Sequence, residues 1–464
     1  MVYRRFFRRR KKSPRTKHQL HRSNRNKFSR RILRKISKYT NYRFSKRATQ
    51  TFMNHENKKR KICVTLINRA NYGRLKSVMT AIKNHPDLEL QVICGSAMLI
   101  YNYGNAIDVV ERDGFKVDEK IFMHVAGETP MTMAKSVGMG MIEFPAAYDR
   151  LKPDIVMVNA DRYETLAIAA SASYMNIPVA HQLGGECTGT IDDYVRHAVT
   201  KLSDIHFAAH TKAAERVVMM GEDPSRVYVT GNPSLDVIHE SQSNVTNQQF
   251  WEKYGGKGGG VNIDEPFLLS IFHPVTTDYG KNRTNAEALL SAVDELEIPT
   301  IMLWPNNDAG SDEIAKAMRV RFDQGNMENL HFIRNLAIED YLTLMARSSA
   351  VIGNSSSGIM EAGFLGVPCV NIGNRQEGRE QTHNVINVEP NKEKIIEAIK
   401  QSIEKKSYPK DPLFGDGKSG KRIADILATI PLMRPKIYFE ASDETKKSYV
   451  DLVEREVKQR MTTE

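Results

Sequence analysis

The 464-residue chain has four cysteines, two tryptophans and, over its first 52 residues, no acidic side chain. Cys63, Cys94, Cys187 and Cys369 are widely spaced with no C-x-x-C pair, which argues against a disulfide framework or a zinc site. A reducing, cytoplasmic setting is expected. No uncharged apolar run approaches the roughly 20 residues of a transmembrane helix, and the N-terminus lacks the apolar core of a secretory signal. What is present, 41% hydrophobic and 26% charged residues, is ordinary for a soluble globular protein, and 464 residues are enough for two or three domains.

The net charge of +12 conceals two different objects. Residues 1–60 hold 23 of the 67 Lys and Arg against one acid, Glu56, so this stretch carries +22 and the rest −10. The body is therefore not expected to bind nucleic acid. The leader, with RRFFRRRKK and RRILRKISKY, buries too little apolar surface to offset its self-repulsion and ordering entropy. It is expected to be an unstructured and dispensable extension, with Met53 as an alternative start, or a basic tail for anionic surfaces such as RNA or membrane.

From Lys61 the pattern changes to short apolar runs separated by helical periodicity. Strands are expected at 61–67, 88–95, 154–160, 178–181, 205–209 and 226–231, with helices at 131–151, 162–175 and 210–220. After a polar, Gly-rich linker at 239–264, a second series follows at 267–272, 300–305, 330–335, 350–354 and 368–373. The GGKGGG of that linker lacks a phosphate loop's G-K-[ST] ending and a preceding strand, so it reads as a flexible tip. The fold class is α/β, with two Rossmann-like domains (61–238 and 265–434) around an interdomain cleft and a polar C-terminal helix within 435–464. In parallel sheets ligands gather at the carboxyl ends of strands.

Those ends are polar here. Asp161 and Arg162 follow one strand; Asp161 is either a helix N-cap or a carboxylate beside an anion contact. The stretch His181 to Asp204, HQLGGECTGTIDDYVRHAVTKLSD, offers Glu186, Asp192 and Asp193, then Arg196, His197 and Lys201. It reads either as a capped surface helix with Asp192–Arg196 and Asp193–His197 pairs or as a site wall next to a Gly-Gly turn. In the second half, Gly353, Asn354 and three serines feed a helix start suited to a phosphate, with Glu361 one turn inside to accept sugar hydroxyls and Arg375 and Arg379 following.

These blocks, NRANYGRL, NADRYETLA, GGECTGTIDDYVRHAVTKLSD, VTGNPSLD, HPVTTD, WPNNDAGS, GNSSSGIMEAGFLGVP and GNRQEGRE, together resemble the hydrolysing UDP-N-acetylglucosamine 2-epimerases of sialic and related nonulosonic acid synthesis. The resemblance covers about residues 61–400. It implies a GT-B-like architecture, a UDP-sugar substrate, no cofactor or metal, and a homo-oligomer, dimer or tetramer. It also implies elimination of UDP after C2 deprotonation, then hydration to free N-acetylmannosamine or an analogue. Asp161 and Asp192 become acid/base candidates with Glu186 as a third; Arg69, His273, Asn306, Ser355, Ser356, Glu361 and Arg375 hold UDP, and Arg162 and Arg196 are further cations near the phosphates. Leu183 stands where several relatives carry a carboxylate, and Asn71 where some have Asp. A glycosyltransferase of the same architecture and an inactive nucleotide-sugar binding or regulatory protein are the alternatives.

Overall fold

The structure, a computed structural model, describes residues 59–240, 244–325, 328–432 and 436–440. The basic leader and the polar helix expected from Ser442 to Arg460 lie outside the described residues. No helix among the described residues is long and apolar enough to cross a membrane.

Two sheets of seven strands follow one another. The first contains β1 (Arg60–Leu66), β2 (Leu88–Gly95), β3 (Glu119–Ile121), β4 (Ile155–Asn159), β5 (Val179–Gln182), β6 (Ile205–Ala208) and β7 (Val227–Val229). Its strands are all parallel, in the order β3-β2-β1-β4-β5-β6-β7. The second contains β8 (Lys257–Gly258), β9 (Leu268–Ile271), β10 (Thr300–Leu303), β11 (Leu330–Ile333), β12 (Ala350–Gly353), β13 (Cys369–Ile372) and β14 (Val385–Val388). Its order is β14-β13-β12-β9-β10-β11-β8, parallel except for β8, which pairs antiparallel with β11 at the edge. Strand order reverses between β1 and β4 in one sheet and between β9 and β12 in the other. At such switch points the diverging connections leave a crevice for a ligand.

Strands covered on both faces need continuous apolar runs, and β4 is buried at every position. The helix Arg69–Asn84 starts where the Asn68 side chain accepts the Asn71 N–H at 2.8 Å, and it buries Tyr72, Leu75, Val78, Met79 and Ile82 on one side. The helix Pro130–Leu151 begins with a reciprocal Thr129–Thr132 cap and Pro130 in its first turn, and Pro153 follows its left-handed end at Lys152. Apolar side chains of both domains meet in one cluster that includes Ala160, Leu183, Leu235, Ile359, Met360, Phe364 and Phe414.

Two segments depart from the expected domain limits. The stretch read as a linker contains a capped helix, Asn247–Tyr254, whose Phe250 is buried in a core of the second domain, as well as β8. The helix Ser419–Thr429, placed by sequence in the second domain, packs on Arg69–Asn84 of the first and puts Ile423, Ala424 and Leu427 into its core. Arg60 donates to the carbonyl of Ile430 at 3.0 Å and to that of Leu427, tying the two ends of the body together. Beyond it, Lys436 donates to the carbonyls of Lys201 (2.8 Å) and Ser203 (2.7 Å), a cation at the negative end of the helix Ile191–Leu202.

Candidate active site

The two switch points face one cavity of about 270 Å³ between the domains. All twelve candidate residues line it: Arg69, Asp161, Arg162, Glu186, Asp192 and Arg196 from the first domain, and His273, Asn306, Ser355, Ser356, Glu361 and Arg375 from the second.

Asp161 follows β4 after Ala160, whose φ of +59° lies in the left-handed region that side-chain-bearing residues rarely occupy. Two bonds hold this corner. Ala160 N–H donates to the Gln182 carbonyl at 2.8 Å, and Nε2 of buried His181 donates to the Ala160 carbonyl at 2.9 Å. Burial pushes the His181 imidazole down to about 3, so it stays neutral at physiological pH. Of the two readings open for Asp161, the N-cap is not realised. Arg162 occupies that position, and Asp161 pairs with Arg196 instead. Arg162 reaches across the cleft, donating to Asn307 Oδ1 at 2.7 Å and pairing with Asp308 of the second domain.

Neither acid–base pair expected within the helix Ile191–Leu202 forms as drawn. Asp193 accepts the Thr188 N–H at 2.8 Å and pairs with Arg196 one turn on. Arg196, fully buried, also donates to the Glu186 carbonyl at 2.9 Å. Asp192 is left facing the cavity, its Oδ2 3.9 Å from Nη2 of Arg375 in the opposite domain. The two cavity aspartates are pulled apart. For Asp161, burial alone would raise the pKa, but Arg196, Arg74 and Arg379 outweigh it and hold the carboxyl well below the usual carboxylate range. For Asp192, burial and then the charge of Asp161 raise it, and the Arg375 guanidinium offsets only part of that rise. One acid is thus kept ionised beside another that tends to keep its proton.

Glu186 is engaged on every side. Its Oε2 accepts Arg379 Nη1 at 2.8 Å, and its Oε1 lies 2.9 Å from His210 Nε2. His210 Nδ1 accepts the Ala213 N–H at 3.2 Å, so the imidazole proton sits on Nε2, facing Glu186. That contact is off the line of a good hydrogen bond and acts mainly electrostatically. Burial raises the Glu186 carboxyl, and His210 and Arg379 more than reverse this. The preceding Gly185 has a φ of +78°, and any Cβ there would collide with the Ala213 carbonyl. Leu183, also left-handed at +63°, points into the apolar interdomain cluster.

On the second wall, His273 Nδ1 accepts the Asn306 N–H at 3.3 Å, which leaves Nε2 as a donor. Burial, then Arg375, Arg162 and Arg74, hold this imidazole neutral. Ser356 Oγ accepts Arg74 Nη2 at 2.9 Å from the first domain. The serine run forms a short 3-10 turn, Ser356–Gly358, and Glu361 opens a separate five-residue helix rather than lying a turn inside one. Glu361 is buried, and its Oε2 has no hydrogen-bond partner among the described residues. Arg375 Nη1 donates to the Asn354 carbonyl at 3.2 Å. Arg379, expected to neutralise a diphosphate, is committed to Glu186 and to Gln376 Oε1 at 2.8 Å.

Arg74, Glu164 and His210 belong to the network without having been among the candidates. Arg74 and His210 obey the strand-end rule already used for Asp161, following β1 and β6 respectively. Buried Glu164 had no signal beyond being an acid in a helix's first turn; it accepts Ser96 Oγ at 2.7 Å and pairs with Arg162.

Comparison with known proteins agrees with this architecture. A family model described as UDP-N-acetylglucosamine 2-epimerase matches residues 80–428. The UDP-N,N'-diacetylbacillosamine 2-epimerase (hydrolyzing) of Legionella pneumophila is 32% identical over 80% of this chain and 97% of its own length. The UDP-N-acetylglucosamine 2-epimerase of Neisseria meningitidis is 32% identical over 80% and 95%. Among solved structures, Methanocaldococcus jannaschii UDP-GlcNAc 2-epimerase in complex with UDP-GlcNAc and UDP superposes with a TM-score of 0.65 at 20% identity, covering 79% of this chain and 99% of that one. The same two-domain, GT-B-like fold, and a family match over three quarters of the sequence, mean that the chain belongs to the UDP-N-acetylglucosamine 2-epimerase family.

Proposed function

We propose that the protein is a hydrolysing 2-epimerase that converts a UDP-2-acetamido sugar to UDP and the free C2 epimer. The observation that carries this reading is the pair of cavity aspartates held in opposite protonation tendencies, facing Arg375 and Glu361 across the cleft. Asp161, the ionised member of the pair, is assigned removal of the C2 proton, with its arginines weakening it as a base. The C1–oxygen bond then breaks with its electron pair leaving on the UDP phosphate, giving a C1=C2 glycal. Water adds its hydroxyl to C1 and passes its remaining proton to Asp192 as that acid delivers its own proton to C2 from the opposite face; Asp161 sheds the proton taken from C2 to solvent, which restores both acids. On this reading Arg375, Arg69 and the His273 Nε2–H, all lining the cavity, stabilise charge on the departing diphosphate, and the unpartnered Glu361 oxygen accepts ribose hydroxyls. Two relatives whose names include "hydrolyzing", from Legionella pneumophila and Campylobacter jejuni, favour release of free sugar over return of a UDP-sugar.

Product NMR in deuterated water with UDP-N-acetylglucosamine and, separately, a UDP-2,4-diacetamido sugar tests this reading and identifies the substrate. Free UDP and a free mannose-configured sugar carrying deuterium at C2 are expected from one of them. An intact epimerised UDP-sugar would place the protein with non-hydrolysing enzymes, and transfer to an acceptor would make it a glycosyltransferase. A dimer or tetramer is the proposed assembly, read by light scattering.

A further inference from the structure

Glu186 is the candidate acid with a side-chain partner facing each of its carboxylate oxygens. It is 1% exposed, and both its oxygens face partners from different domains: His210 at the end of β6, and Arg379 in the loop after β13. Beside it, Arg216 of the first domain donates to Gly185 O at 3.0 Å and to Glu380 Oε2 at 2.9 Å in the second. The Gly185-Glu186 turn is therefore clamped to the second domain by two neighbouring arginine–carboxylate contacts running in opposite directions: Arg379 to Glu186, and Arg216 to Glu380. The peptide carbonyl of the same Glu186 receives Arg196 Nη1, and Nη2 of that guanidinium holds Asp161. A continuous chain of contacts thus runs from the second domain to the acid at the centre of the cavity.

We propose that Glu186 is an interdomain latch and a positioning residue, not a proton-transferring acid: Arg379 and His210 hold it when the cleft is closed, and its carbonyl then sets the Arg196–Asp161 pair. Leu183, which fills an apolar cluster, and Glu186, which is consumed by the latch, leave Asp161 and Asp192 to carry the proton transfers. Opening the cleft withdraws Arg379, and the turn that orients Arg196 loses its fixed partner. Arg379 is on this account a positioning residue acting through Glu186, although it borders the cavity.

The inference rests on the proposed reaction, so wild-type turnover is measured first; its absence would fail that reading and leave the latch to be read from UDP affinity and solution compactness. With turnover present, Glu186→Gln is compared with wild type across pH. A general acid or base contributes about 100- to 10,000-fold. The latch predicts a loss of kcat below about 100-fold with both limbs of the pH profile retained; a larger loss, or a missing limb, overturns it. Arg379→Gln leaves the buried Glu186 charge with only the His210 contact, and is expected to lower kcat and expand the protein in small-angle scattering. Combining it with Glu186→Gln removes that charge, so the double variant is expected to recover activity relative to Arg379→Gln alone. A double variant no more active than the poorer single one overturns the latch, and this comparison stands even where Glu186→Gln alone does not fold.

Discussion

Asp161→Asn separates the acid/base assignment from mere binding. The substitution keeps an oxygen for Arg196, which also retains Asp193 and the Glu186 carbonyl, so Arg196 is not left as an isolated buried charge. Loss of one charge-assisted bond costs about 1.5–3 kcal/mol of stability, a shift small enough for the protein to remain folded. The chemical effect is larger because two things change together. The proposed C2 base is lost, and Asp192 no longer has the neighbouring negative charge that helps to raise it, so it gives up its proton more readily at neutral pH. Each proton-transfer role contributes about 100- to 10,000-fold, so kcat is expected to fall at least about 1,000-fold, equivalent to about 4 kcal/mol of transition-state stabilisation. Turnover is followed by UDP release and UDP affinity by calorimetry, the latter remaining within a few fold because the His273, Glu361 and Arg375 wall is untouched. Turnover within tenfold of wild type, in a variant that binds UDP normally, would refute the assignment.

Two further outcomes follow from the same electrostatics and packing. Asp192→Asn is expected to abolish turnover yet raise the thermal midpoint at pH 8. The native carboxyl has a pKa above its unfolded value, so above the usual carboxylate range ionisation destabilises the fold; below that range Asp192 is protonated in both states and the gain disappears. A gain independent of pH would contradict this. Leu183→Glu, which puts a carboxylate where the family resemblance implies one, is expected to lose about 2 kcal/mol of apolar burial and to add the cost of a buried acid. A lowered midpoint without increased kcat is the expected reading; a stable, faster enzyme would show that the position remains open to catalysis.

Much of this architecture is legible in the amino-acid order because strands covered on both faces must be apolar throughout. Most interior strands are short Val-, Ile- and Leu-rich runs, β5 (VAHQ) and β6 (IHFA) less so, and each matches an expected segment. The strands not expected, β3, β8 and β14, all lie at sheet edges, where EKI, KG and VINV are short and partly exposed and carry no such signal. The polar residues at strand ends marked the cavity for the same topological reason. Pairing was not legible. Arg196 meets Asp161 from 35 positions away, and Arg162 meets Asp308 from 146 positions away, so neither partner shows until the sheets are assembled. Local spacing instead suggested Asp192–Arg196 and Asp193–His197, which helical geometry permits but which the turn at Thr188 and the facing domain override.

The helix Ser419–Thr429 has a consequence for biogenesis. It supplies Ile423, Ala424 and Leu427 to a core whose other members, the neighbouring Ile430 apart, are encoded more than 200 residues earlier. At about 5–20 residues per second, a ribosome needs about 10–40 s to travel from β7 to this helix. Throughout that interval the outer side of the Arg69–Asn84 helix stays uncovered, a surface for chaperones or for aggregation. Separately expressed halves would meet the same difficulty permanently, and a first-domain fragment would need residues 419–430 appended to become soluble.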